Sequence, residues 1–139
     1  MREILFRGKR KDNGELIEGY LLKVKTLSPS SNKWVEKTLI LIQQDDVCEV
    51  IPETVGQYTG LTDTNGAEIF EADIVSCQMW VGDEYSDGRQ NWHVSFKDGS
   101  FVIDKNCYVP KKLSHNNIQS YDIKVIGNIY DNPELLEEK

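Results

Sequence analysis

Trp92-His93-Val94-Ser95-Phe96-Lys97-Asp98-Gly99-Ser100-Phe101-Val102-Ile103 decides the fold class. Apolar residues stand at 92, 94 and 96 with polar ones between them. That period of two marks a strand with one face on a core, which would put Trp92, Val94 and Phe96 together. Lys97-Asp98-Gly99 turns the chain. Phe101-Val102-Ile103 then pairs back, so the stretch reads as an antiparallel hairpin.

The same grammar repeats outward in both directions. Upstream, Ile74 to Val81 reads as a strand and Gly82 to Arg89 as a polar hairpin loop. Downstream, Val109 to Gln119 reads as a polar loop and Ile123 to Tyr130 as the last strand. Asn132-Pro133-Glu134 has the order of an N-cap, a proline at the first helical position and an acid at the positive helix end. A helical turn or two then brings in Leu135 and Leu136.

The first half of the chain follows the pattern. Asp12-Asn13-Gly14 joins Ile4-Leu5-Phe6 to the run Leu16 to Val24 as a hairpin. Gly19, inside that run, marks a bulge or a close backbone approach. Thr26 to Lys33 is rich in turn formers. Thr38-Leu39-Ile40-Leu41-Ile42 is apolar enough to predict a strand buried on both faces. Val47 to Ile51 is a further strand. Asp63-Thr64-Asn65-Gly66 is another turn. Short strands at close spacing predict a mainly β protein of small antiparallel barrels, with the second half SH3-like and a short C-terminal helical turn. The expected organisation is an N-terminal β unit over 1–55, a turn-rich junction over 56–72, and a small barrel over 73–139.

Bulk properties narrow the function classes. With 139 residues the chain suits one domain or two very small ones. The net charge of −7 works against a protein that grips phosphates with Lys and Arg. Three widely spaced cysteines, Cys48, Cys77 and Cys107, form no C-x-x-C pair and read as reduced thiols of a cytoplasmic protein. The chain opens without a signal peptide and contains no apolar run of membrane-spanning length.

Two segments are more specific than the strand pattern. One is Glu53-Thr54-Val55-Gly56-Gln57-Tyr58-Thr59-Gly60-Leu61, continued by Asp63, Asn65-Gly66, Glu68-Ile69, Glu71 and Asp73-Ile74-Val75. The other is Val125-Ile126-Gly127-Asn128-Ile129-Tyr130-Asp131-Asn132-Pro133-Glu134-Leu135-Leu136. With the opening Arg2-Glu3-Ile4-Leu5-Phe6-Arg7, they resemble the YopX family in order and spacing over nearly the whole chain. The resemblance implies a bacteriophage or prophage origin, a mainly β fold and self-assembly. It implies no reaction and no functional residues. Ala72 departs from the family pattern, which has glycine before the Asp; alanine tolerates positive φ poorly. The segments themselves read as structural: Gly56, Gly60 and Gly66 for turning, Tyr58 and Ile69 for packing, Asp73 for bonding a turn amide.

Candidate sites are few. Asp83, Glu84 and Asp87 resemble a calcium loop only in composition, since the twelfth position counted from Asp83 is Val94 rather than an acid. His93 and His115 are the two histidines, and neither forms a local catalytic pattern with Cys77 or Cys107. No phosphate loop occurs. Trp80, Tyr85, Trp92 and Tyr108 are the candidate partner-binding aromatic face, for peptides or for bases. The expectation is a non-enzymatic accessory protein of the host bacterial cytoplasm, without cofactor or metal. It would act through protein contacts as a homo-oligomer, on an unknown phage or host protein. The alternative is a nucleic-acid-binding small barrel using those aromatics beside Arg89, Lys97, Lys105, Lys111 and Lys112.

Overall fold

The computed structural model describes residues 3–43, 46–78, 80–81, 84–85, 88–106 and 108–137. The chain divides into two compact units, Met1–Gln57 and Tyr58–Lys139.

In the first unit, β1 (Phe6–Lys9) pairs antiparallel with β2 (Leu16–Leu27) through the Asn13-Gly14 turn. Gly14 has a φ of 72°, and the Asn13 side chain accepts the Glu15 N–H at 2.9 Å. β2 pairs along its outer length with β3 (Trp34–Gln43), and β3 pairs with β4 (Asp46–Glu49). β5 (Gly56–Thr62) begins in this unit, where Gly56 and Gln57 pair with β1. Close approach explains Gly19. A Cβ there would sit 2.2 Å from the Leu41 carbonyl oxygen. The β3 run is not buried on both faces as its apolarity predicts. Thr38 and Ile40 are buried, whereas Leu39, Leu41 and Ile42 are only half-buried.

In the second unit, the rest of β5 pairs with β6 (Glu68–Phe70). Residues 56–72 therefore carry two strands as well as turns. A five-stranded sheet follows, with β7 (Asp73–Cys77), β10 (Gln90–Lys97), β11 (Ser100–Asp104), β12 (Lys111–Lys112) and β13 (Lys124–Asn128). Its order is β12-β11-β10-β7-β13, and every pairing is antiparallel. Between β7 and β10, β8 (Trp80–Val81) and β9 (Glu84–Tyr85) form a separate two-stranded ladder. The Lys97–Ser100 hairpin turns on Asp98 and Gly99, with φ of 50° and 80°.

The expected barrel does not form: the sheets are open, and SH3-like closure is absent from the described pairings. In the second unit a short helix packs into the core. Residues read as a polar loop contain α1 (His115–Ser120), capped by Ser114, whose hydroxyl accepts the Asn117 N–H at 3.1 Å. Ile118 within this helix, with Leu113 and Ile123 on either side of it, joins Ile69, Val75, Cys77, Trp92, Val94 and Ile103 in the buried core. Helix burial thus covers the sheet's apolar face. Phe96, expected beside Trp92 and Val94, is exposed and packs edge-on against Phe101, with ring centroids 5.0 Å apart. The C-terminal turn is a 3-10 helix, Pro133–Leu136. Asn132 does not cap it. Its side-chain oxygen instead accepts the Asn128 N–H at 3.3 Å.

Candidate functional site

From Tyr58 onward, the two family-like segments are tied together by hydrogen bonds within the second unit. Asp63 is buried, and its Oδ1 accepts the N–H groups of Asn65 and Ala67 at 2.9 and 2.8 Å. Its Oδ2 accepts the Val125 N–H at 2.8 Å. The Ala72 carbonyl accepts the Ile129 N–H at 2.9 Å, and Asp73 pairs with Asn128 where β7 meets β13. Asp73 Oδ2 accepts the Phe70 N–H at 2.8 Å. Asn128 Oδ1 takes the Tyr130 and Asp131 N–H groups at 3.0 and 2.9 Å. These carboxylates and amides are aimed at backbone donors within the chain. They hold turns; they do not present groups to a ligand.

The four candidate aromatics separate. Trp92 is 1% exposed and belongs to the core. Tyr108 is 50% exposed, with its ring 5.4 Å from that of Trp92 and the Lys105 ammonium 5.6 Å above it. Trp80 and Tyr85 are backbone partners across β8 and β9. Trp92 therefore supports Tyr108 from beneath and is not itself a stacking surface. Asp83, Asp87 and Cys107 lie outside the described residues.

Tyr108 lines a cleft of about 800 Å³ with Asn91 and His93 of β10, Lys105, Asn106, Leu136 and Glu137. Alternation places Asn91 and His93 on one side of β10. The Asn91 amide donates to the Leu135 carbonyl at 2.8 Å, which ties the C-terminal turn to this strand. The lining mixes one ammonium, one carboxylate, an imidazole and amides, a set suited to polar contacts. His115, by contrast, opens α1 and does not line this cleft.

Two of the basic residues singled out in the sequence are engaged within the unit. Arg89 donates to Ser76 Oγ at 2.5 Å, to the Ser76 carbonyl at 2.7 Å and to Asp122 Oδ2 at 2.9 Å, and also meets the Asp122 carbonyl. Asp122 is held below the usual carboxylate range by a hydrogen bond from Thr64 and by the Arg89 guanidinium, against the opposing effect of burial. Lys97 hydrogen-bonds Asp104 and lowers its carboxyl likewise. Lys111 and Lys112 remain exposed on β12.

In the first unit a smaller hollow of about 340 Å³ is lined by Arg10, Lys11, Asp12, Val47, Cys48 and Glu49. Its charges satisfy one another: Arg10 pairs with Asp12 at 2.9 Å and Lys11 with Glu49 at 3.2 Å. Elsewhere in this unit, the β2–β3 hairpin carries large apolar side chains in water. Tyr20, Leu22, Leu27, Trp34 and Val35 are all exposed, Trp34 by 70% and Leu27 by 49%. Leu27 and Trp34 are direct cross-strand partners at the hairpin end. Strand phase alone does not show that the face of Trp34 lacks cover.

Open antiparallel sheets, a short helix over one core and signature segments that tie strands together define a small, mainly β protein. The model of the YopX protein family matches residues 5–137, so the chain belongs to that family. The crystal structure of protein EF1440 from Enterococcus faecalis is similar at 27% identity, with a TM-score of 0.60, over 99% of this chain and 100% of that one. The crystal structure of protein yopX from Bacillus subtilis shares the fold at 21% identity, with a TM-score of 0.57, over 100% and 99%. No curated protein matches the sequence.

Proposed function

We propose that this YopX-family chain is a phage or prophage accessory protein that works without catalysis. It acts through protein–protein contacts in the host cytoplasm and assembles with copies of itself. The observation that carries this reading is the exposed apolar set on the β2–β3 hairpin, where Tyr20, Leu22, Leu27, Trp34 and Val35 stand in solvent on a strand pair. Apolar surface concentrated on one element is characteristic of an interface. Trp and Tyr are favoured there because they bury large area with few rotors.

Two further observations agree. The signature segments are occupied by turn and strand hydrogen bonds. The thiol of Cys77 is buried in the core and pushed up to about 12 by burial, which keeps it protonated and unreactive. The nucleic-acid reading is weaker because Arg89 and Lys97 already hold carboxylates of the chain. Light scattering across a concentration series tests the proposal. A mass above one chain that grows or persists with concentration is expected. A single-chain mass at every concentration would overturn the self-assembly claim.

A further inference from the structure

The β2–β3 hairpin runs past the sheet that anchors it. β1 reaches β2 only as far as Gly19, and β4 reaches β3 only as far as Leu39. Val50, just past β4, adds one more bond, its N–H donating to the Thr38 carbonyl at 3.0 Å; beyond it Val24 to Leu27 and Trp34 to Lys37 pair with each other, and no third strand joins them among the described residues. A two-stranded ribbon alone is marginally stable in water. This one also leaves Leu27, Trp34 and Val35 exposed. It has the form of an arm whose faces are completed by something else.

Charge selects the occupant. Residues 20–38 hold Lys23, Lys25, Lys33 and Lys37 against Glu36 alone, a net of +3 in a chain of −7. None of the four lysines makes an ion pair among the described residues. The remaining negative charge is unevenly placed. Residues 1–57 hold nine Lys and Arg against nine Asp and Glu, a net of zero. Residues 58–139 hold seven against fourteen, so the second unit carries the whole excess of −7. Glu68, Asp98, Glu134 and Glu137 are exposed on it.

We propose that the β2–β3 arm docks on the acidic second unit of another copy of this chain. This rests on the self-assembly proposed above and names its surfaces. Leu27 and Trp34 bury their side chains at the contact, while the lysines extend their stems over it and place their ammonium groups among carboxylates. Nucleic acid is the other anionic partner that an arm of lysines and tryptophan could take. The rest of the chain, at −10, would repel a phosphate backbone, whereas a second copy presents that same negative surface as the complement. Because the arm and its target are different surfaces, the contact is either reciprocal within a dimer or head-to-tail around a ring.

The test uses the full chain with Lys23→Glu, Lys25→Glu and Lys33→Glu together, all at exposed positions, and separately with Trp34→Ser. Each is expected to weaken self-association by about tenfold or more at low salt, and the wild-type assembly should loosen as salt rises. Circular dichroism unchanged from wild type shows that the variants fold. In parallel, labelled and unlabelled chains are mixed and joined by carbodiimide. Cross-links between chains are expected from Lys23, Lys25 or Lys33 to carboxylates of residues 58–139. An assembly that forms equally well in both variants, with no such cross-links, would overturn the arm while leaving self-assembly intact. A wild-type chain that is always single would overturn both. Duplex DNA retention that disappears in the lysine variant while self-association persists would assign the arm to nucleic acid instead.

Discussion

Asp63 Oδ2 accepts the backbone N–H of Val125 at 2.8 Å, joining residues 62 positions apart. The same carboxylate takes the Asn65 and Ala67 N–H groups, so three backbone donors converge on one buried side chain. Hydrogen bonds to a charged acceptor each contribute about 1.5–3 kcal/mol, and bonds sharing one acceptor do not add fully. Asp63→Ala should therefore lower unfolding stability by about 3 kcal/mol. Asp63→Asn should recover only part of this, because its amide nitrogen opposes a donor. Urea denaturation of both variants measures the effect. A loss below about 1 kcal/mol for the alanine variant would show that water replaces the carboxylate, and the tie between the two segments would not depend on it.

Ala72 occupies a φ of 73° while its amide donates to the Val94 carbonyl at 2.8 Å. The left-handed region costs an L-residue about 1–2 kcal/mol. Glycine relieves that strain but gains unfolded-state entropy, which offsets about 0.4–1 kcal/mol. Ala72→Gly should therefore be neutral or stabilising by up to about 1 kcal/mol, despite removing a buried methyl. Ala72→Val should destabilise by about 2–3 kcal/mol, since a branched side chain fits this backbone worst. Thermal melts of the two variants distinguish the signs. Equal losses in both would mean that packing of the methyl, not backbone strain, governs the position.

That departure was visible in the sequence as an alanine where the family pattern has glycine, and positive φ is what the pattern encodes there. Turn chemistry is legible for the same reason: Gly14, Gly66 and the pair Asp98-Gly99 take the positive φ that L-residues adopt only at a cost. Burial was less legible. The run Thr38 to Ile42 looked doubly buried because apolarity reports a side chain's preference, not whether a layer lies above it. The sequence groups Trp92 and Tyr108 as one face, yet one is core and the other surface, since strand phase does not reach into a loop. Helix α1 is not legible in the pattern because six residues with one buried side chain, Ile118, carry no helical period; its one local signal is the Ser114 cap. The exposed β2–β3 arm follows from where β1 and β4 stop, a property of pairing length that no local pattern announces.

Asp104 lies below its ordinary carboxylate value of 3.8, chiefly through the hydrogen bond from Lys97. A depressed acid stabilises the folded state above its unfolded pKa, and that stability is lost as pH falls through the folded value. Wild type should thus exceed Lys97→Met in stability at neutral pH, with the gap closing below about pH 4. Denaturation midpoints at a series of pH values measure it. A gap of constant size down to acid conditions would place the effect in side-chain packing of Lys97 and not in its charge.

Cys77 gives the opposite pH signature. Its thiol is pushed from 9.0 to about 12 by burial, with Arg89 and Lys105 pulling weakly the other way. The folded chain therefore holds a proton that the unfolded chain releases first. Stability is fully present below 9.0 and declines as pH rises toward 12. Cys77→Ala should flatten that alkaline decline, at the expense of some packing at neutral pH. Peptide mapping after iodoacetamide treatment should find Cys77 unmodified in the native chain at neutral pH and modified once urea unfolds it. Native labelling of Cys77 at neutral pH would instead reveal an accessible thiolate. It would remove the main chemical argument against catalysis at this residue.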